Sequence, residues 1–275
     1  MRRTTDGPNV RIQYDTWRDF IDAARNGKEQ HSSHAGPGFH GAQSFQDAYD
    51  LARDGWPEGE QHVKRLSLDL FDKVSNLIER PYPVYDVEGS EIDVARYLDG
   101  EPECWQRMEE RQTEGPGRRV YRLVFNCSVS GGVGQSVITA RGAGAVALAE
   151  LLEYAGHGVE IVLAFRANHH HREHLDAFVP LKACEQPLDI PRLAFALAHP
   201  STLRRFMFSA MENDPSGTFH PLTDMPADVD VADRGDLFFG HAMYGDPNWR
   251  NSEAARAWII ETLKQQGVAV SEAVA

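Results

Sequence analysis

Residues 119–167 constrain the fold most. RVYRLVFNCSV is rich in β-branched and aromatic residues, ARGAGAVALAELLEYAGHG has the composition of a long apolar helix stopped by glycines, and VEIVLAFRA is again strand-like. A strand, a helix and a second strand of these lengths make a parallel crossover, the building unit of an open α/β sheet. The pattern continues with AFVPLKACEQ (177–186) as a third strand and two helical stretches in IPRLAFALAHPSTLRRFMFSAMEN (190–213), broken near Pro200. DLFFGHA (236–242) is a short strand candidate, and SEAARAWIIETLKQQG (252–267) is a helix with Ser252 as N-cap and Gly267 as stop. The expectation is a three-layer α/β domain over residues 118–270, with a mostly parallel sheet of von Willebrand A-like or Rossmann-like type.

The preceding half has a different texture. Residues 10–26 suit an extended start followed by a short amphipathic helix, HSSHAGPGFHGAQ a loop, and SFQDAYDLARDG a helix capped by Ser44 and ended by Gly55. Glu60 to Glu79 carries Val63, Leu66, Leu70, Val74 and Leu77 on one helical face, until Pro81 and Pro83 stop it. TEGPG at 113–117 is a turn or linker signal, so residues 1–117 read as an N-terminal helical extension.

A net charge of −13 argues against binding nucleic acid over a broad surface, which needs clustered Lys and Arg. Three cysteines form no paired framework and suit reduced thiols in a cytoplasmic setting. No apolar run reaches the about 18 residues that a membrane span needs, so no membrane partner is expected.

The candidate site lies where the first strand of the crossover enters its helix, since open α/β sheets bind ligands at the carboxyl ends of their strands. The junction reads VFNCSVSGGVGQS, residues 124–136. Asn126, Ser128 and Ser130 occupy the positions of an Asp-x-Ser-x-Ser motif, and the following GAVALAELLEYAGHGVEIVLAF strengthens the likeness; the segment resembles von Willebrand factor A-like domains, where a carboxylate and two hydroxyls hold Mg²⁺ with a later Thr and Asp. The resemblance implies an adaptor fold that binds protein partners, with Asp189 and Asp246 as candidates for the later acid. Asn126 replaces the family's Asp with an amide dipole where a hard cation wants charge, so the ion site is degenerate.

Ser130-Gly-Gly-Val-Gly-Gln-Ser136 also resembles the Lys-Gly-Gly-Val-Gly-Lys-Thr phosphate loop of partition-type ATPases. Gly132, Gly134 and Ser136 match, but Gln135 and Ser130 replace both lysines, which removes the cations that phosphoryl transfer needs. The same glycines and serines also suit a plain turn with a Ser helix cap.

Three further groups carry chemistry. In ANHHHREH (167–174), His170 and His174 are spaced to share a helical face and to hold Zn²⁺, although the segment equally suits a solvated polar loop. His31, His34 and His40 follow no zinc spacing. Arg204 and Arg205 beside Phe206 and Phe208 form a basic–aromatic group of the kind that holds single-stranded nucleic acid, while their periodicity suits arginines facing solvent or acids beside inward-packed aromatics.

Finally, GAQSFQDAYDLARDGWPEG (41–59) followed by DVEGSEIDVARYLDGEPECW (86–105) resembles a family carried by tailed phages and mobile elements. That resemblance implies a phage-encoded protein in the host cytoplasm or the virion, and it brings no catalytic residue. Together these readings favour a non-enzymatic binding or assembly protein, with protein partners or self-assembly foremost. A single-stranded nucleic-acid role is the alternative, and a Mg²⁺-, Zn²⁺- or nucleotide-dependent enzyme comes third.

Overall fold

The computed structural model describes residues 1–27, 36–75, 82–109, 119–170, 173–268 and 270. The chain opens with a hairpin, β1 (Arg2–Asp6) and β2 (Asn9–Gln13), and continues into α1 (Trp17–Asn26), α2 (Pro37–His40), α3 (Phe45–Asp54) and α4 (Pro57–Ser75). A small antiparallel sheet follows: β3 (Tyr82–Asp86), β4 (Glu91–Ile92), α5 (Val94–Leu98) and β5 (Trp105–Glu109). The expected crossover is present as β6 (Val120–Asn126), α6 (Gln135–Tyr154) and β7 (Gly158–His169). Then come β8 (Glu173–Lys182), α7 (Ile190–Ala198), a π-helical turn over Thr202–Met207, α8 (Phe208–Glu212), β9 (Met225–Pro226), β10 (Leu237–Phe239) and α9 (Ser252–Gln265).

The main sheet has the order β1-β2-β8-β7-β6-β10, with β9 added beside β7. Three of the five adjacencies along that path are parallel, β2 with β8, β7 with β6 and β6 with β10. The sheet is therefore mostly parallel, in a mixed α/β fold. Of the two antiparallel adjacencies, β1 with β2 and β7 with β8, the second governs where ligands can bind: β8 ends at the opposite edge of the sheet from β6, β7 and β10.

Strand alternation assigns the two faces. Leu123, Phe125, Ile161, Leu163, Phe165, Leu175, Ala177 and Val179 point into the main core together with residues of α1, α3, α4, α6, α7 and α9. Val124, Val162, Ala164 and Phe178 point the other way and pack with Val229 and Phe238, and among the described residues that second cluster contains no helix residue. Doubly wound sheets carry helices on both faces; here the three layers stack as sheet, then α6 with α7, then α4 across them. Helix α6 is accordingly buried along most of its length from Ile138 to Leu152, with Ala140 and Glu150 partly covered. Two glycines make that possible, since a Cβ at Gly142 would lie 2.5 Å from Ala198 and one at Gly144 2.6 Å from Trp249.

Residues 1–117 are more than an appendage. They supply two strands of the main sheet and the outer helical layer. Ser44 caps α3 through a complete capping box with Asp47, as its position implied. The C-terminal helix is capped one residue earlier than expected, by Asn251, whose side chain accepts from the Ala254 N–H. No helix among the described residues is long and apolar enough to cross a membrane.

Candidate functional site

The carboxyl ends of β6, β7 and β10 meet at one edge of the sheet, and the residues 126–136 junction lies there. Asn126 is fully buried. Its Oδ1 accepts from the Ser128 N–H at 3.0 Å, a local Asx turn, and its Nδ2 donates to Ala227 O at 2.8 Å. The Ser128 hydroxyl, also buried, donates to Arg166 O at 2.9 Å and accepts from the Arg166 N–H at 3.0 Å. It replaces a strand partner where β7 runs beyond the end of β6. Two side chains at A-like ligand positions are thus consumed in closing the sheet. Ser130 donates its backbone N–H to Ala242 O at 2.9 Å, beside a short parallel bridge of Val129 with Ala242.

The two acids expected to complete an ion site are divided. Asp189 follows β8 and therefore stands at the opposite edge of the sheet, where it caps α7 and pairs with Arg192 at 2.9 Å. The hairpin reversal of β7 and β8 corrects its assignment. Asp246 follows β10 on the correct edge, with its Oδ1 accepting from the Asn248 N–H at 3.0 Å.

The glycine loop makes a turn, with the Val133 N–H on Ser130 O at 3.0 Å. Gly134 starts α6 without a side-chain cap. Gly131 and Gly132 are exposed. Gln135, in place of the nucleotide-binding lysine, donates from Nε2 to Gly38 O at 2.9 Å and ties the loop to α2. Ser136 faces a separate crevice lined by Leu66, Trp249 and Ala255.

Arg204 and Arg205 lie in the π-helical turn and are buried, so the expectation of solvent-facing arginines is corrected. Arg204 donates to Phe39 O at 2.9 Å and Val133 O at 2.7 Å and lies 4.1 Å from the centroid of the Phe39 ring, while Arg205 donates to Ala42 O at 3.2 Å. Their sequence pattern gave no sign of this, because a π turn places consecutive residues differently from an α-helix.

His170 and His174 are not on a helix. His170 sits in the β7–β8 turn at φ 46°, and His174 pairs across the hairpin with Asn168. His40 is buried, while His31, His34 and His171 lie outside the described residues. Ligand atoms of His174, Asp176 and Asp230 do come within 4.8 Å of one another. A guanidinium already answers both carboxylates: Arg166 makes two 2.6 Å bonds to Asp176 and one of 2.8 Å to Asp230. The group reads as an ion-pair lattice on the sheet face that carries Val124, Val162 and Phe178.

Two features of this edge escaped the sequence reading. Arg141, on α6, is 1% exposed and donates to the carbonyls of Asn126 and Gly240, joining the ends of β6 and β10. Burial lowers its pKa to about 10, against the fields of Asp246, Cys127 and Asp228. The signal was an arginine set in the small, mostly apolar run from Val137 to Ala149 of α6. Asp228 accepts from both the backbone N–H (2.7 Å) and the ring Nδ1 (2.8 Å) of His241. Burial raises the Asp228 pKa, but these bonds outweigh it and hold the carboxyl below its usual range. Cys127 is buried, and its thiol is pushed up to about 12 by desolvation, which removes it as a nucleophile near neutrality.

Between the 128–131 loop, the π turn with α8, and the 221–226 loop lies a cavity of about 310 Å³. Around this edge, large apolar side chains stand in solvent: Leu222 is 66% exposed, Met225 56%, Met243 44% and Tyr244 84%. Tyr244 lies beside the glycine loop, 3.8 Å from where a Gly132 Cβ would stand.

No curated protein and no solved structure matches the chain. A family profile described as "Domain of unknown function (DUF7192)" matches residues 2–268, a span that takes in both sheets, the cavity and its apolar rim. The chain belongs to the DUF7192 family.

Proposed function

We propose that this chain is a non-catalytic binding or assembly module whose working surface is the edge of the sheet at the carboxyl ends of β6, β7 and β10. The observation that carries the proposal is the division of labour at that edge. Asn126 and Ser128, in the positions of A-like chemistry, are turned into the fold, and Gln135, in that of a phosphate-loop lysine, is exposed but tied to Gly38 O, whereas Leu222, Met225, Met243 and Tyr244 are turned out. Exposed apolar groups gathered at one end of a protein suit association with another protein surface. The degenerate A-like reading agrees, since such domains bind partners at this end. Resemblance of residues 41–59 and 86–105 to phage and mobile-element proteins extends the proposal to a phage-encoded assembly factor in the host cytoplasm or virion. With Arg204 and Arg205 buried, the nucleic-acid alternative no longer has a basic surface at its nominated contacts.

The test is a double variant, Leu222→Glu with Tyr244→Glu, at exposed positions outside the core. Sedimentation analysis and proximity labelling in the producing cell should show self-association or a defined set of neighbours for the parent protein and its loss in the variant, with the melting temperature unchanged. An identical set of neighbours for both proteins would sink the proposal.

A further inference from the structure

Beneath the exposed rim, the cavity has a chemistry of its own. At about 310 Å³ it matches small-ligand sites, which start at roughly 300 Å³. Its walls are mostly apolar, with Phe165 from β7, Leu203 and Phe208 from the π turn and its sequel, and Met211, Leu222 and Met225 around them. Two guanidinium-bearing residues line it. Arg166 is neutralised by Asp176 and Asp230. Arg204 is not: it is 3% exposed, its bonds go to two neutral carbonyls, and no carboxylate pairs with it among the described residues.

We propose that this cavity binds a small organic monocarboxylate with an apolar body, and that Arg204 is its charge partner. A buried cation without a counter-charge is costly, so an anion entering beside it is favoured by more than its own contacts. Among the described residues, two of the five N–H donors of this guanidinium are used, which leaves donors for a carboxylate. The Ser130 and Gly131 segment lines the same space, and a Cβ at Gly131 would meet nothing within 4 Å, so ligand atoms can approach that backbone closely. The desolvation that favours an anion is also visible in Arg204 itself, whose pKa burial lowers to about 10.

Charge in the cavity selects a monoanion. Asp224 is the one carboxylate in the wall, with its Oδ1 2.8 Å from His169 Nδ1 and its Oδ2 accepting from the His220 N–H at 2.9 Å. One unneutralised cation, with Asp224 already bonded elsewhere in the wall, suits a single negative charge and disfavours a phosphate dianion. The apolar walls demand a hydrocarbon body. This inference goes beyond the proposed protein-binding surface and stands or falls separately from it.

The experiment is calorimetric titration of the full chain with phenylacetate and octanoate, against phenylacetamide, octanamide and inorganic phosphate. The carboxylates should bind at least about tenfold more tightly than their amides, with phosphate silent at about 10 mM. Arg204→Met should erase the preference for carboxylate. Because Arg204 also holds the carbonyls of Phe39 and Val133, that variant is paired with Thr223→Trp, at an exposed position on the cavity wall, which should leave the unliganded melting temperature unchanged and abolish binding of both acids. Equal affinity for acids and amides, phosphate binding in their place, undiminished binding by Thr223→Trp, or no binding of either acid at about 10 mM would each overturn the proposal.

Discussion

The main sheet and the small sheet are built from similar strands and held by different forces. In β6 to β8 nearly every side chain is buried, and alternate residues feed two apolar clusters. In the unit spanning β3 to β5, Cys104 is the one buried residue among the described side chains, while Val94, Tyr97 and Leu98 on α5 are exposed. Its contacts are polar and local. Asp93 caps α5 on the N–H groups of Ala95 and Arg96, Tyr85 donates to Asp93 at 3.2 Å, Gln106 donates to Tyr85 at 3.0 Å, and Arg96 lies 3.9 Å from the Tyr85 ring centroid. One region therefore depends on volume and dryness, the other on particular hydrogen bonds.

That contrast can be broken by substitution. The largest effect is expected for Asn126→Asp, which would restore the A-like carboxylate in a fully buried position 3.4 Å from Asp228 Oδ1, and remove the donor to Ala227 O. It should cost about 4 kcal/mol, and a urea melt repeated with Mg²⁺ should show no recovery. Recovery by the ion would reinstate a metal role. Leu148→Ala, at the centre of α6, should cost about 3 kcal/mol through the cavity it leaves, measurable by the same melt.

Acid provides a third test of the large core. Burial, acting against a bond to the Gly41 backbone, lowers the pKa of His199 to about 4 from its ordinary 6.5. The unfolded chain then takes up this proton before the folded one does, so the contribution is fully present above pH 6.5 and is lost as pH falls from 6.5 towards 4. The loss should reach up to about 3 kcal/mol, and His199→Gln should flatten the slope of stability against pH in that window. A slope unchanged in the variant would assign the acid sensitivity to other groups.

The small sheet should respond in the reverse order of side-chain size. Asp93→Ala should loosen the unit by removing the helix cap, seen as faster amide hydrogen exchange in Trp105–Glu109. Leu98→Ala should stay within about 0.5 kcal/mol, because its side chain is already in water. A larger loss for Leu98→Ala than for Asp93→Ala would erase the distinction between the two sheets.

What was legible in the sequence follows the range of the forces involved. The β6–α6–β7 crossover and the capped α3 are written in local pattern; both are present, α3 at its expected limits and α6 shifted to Gln135–Tyr154, because the glycine loop enters the helix earlier than its apolar run suggests. Val10 and Ile12 alternate with Arg11 as a half-buried strand should, yet the partner they pair with, Leu175 to Phe178, is remote, so local reading took them for an extended lead into a helix. The histidine run hid the end of β7, since nothing in the sequence specifies a φ of 46° at His170. At the candidate site the position was legible from topology, but the fate of Asn126 and Ser128 was not. Whether a polar side chain faces a ligand or a neighbouring backbone depends on Ala227 and Arg166, one on a distant loop and the other on the next strand.

The pairing of β2 with β8 bears on how the chain assembles. Their neighbourhood is also tied by Asn9 Oδ1, which accepts from the His174 N–H 165 residues away. Contacts of that separation form late, because the loop they close is long. Until they form, β8 presents an open ladder of backbone groups, which is the feature that recruits foreign strands. Residues 9–13 are the segment that covers this ladder, so the sheet is protected only once the two ends of a long stretch of chain have met.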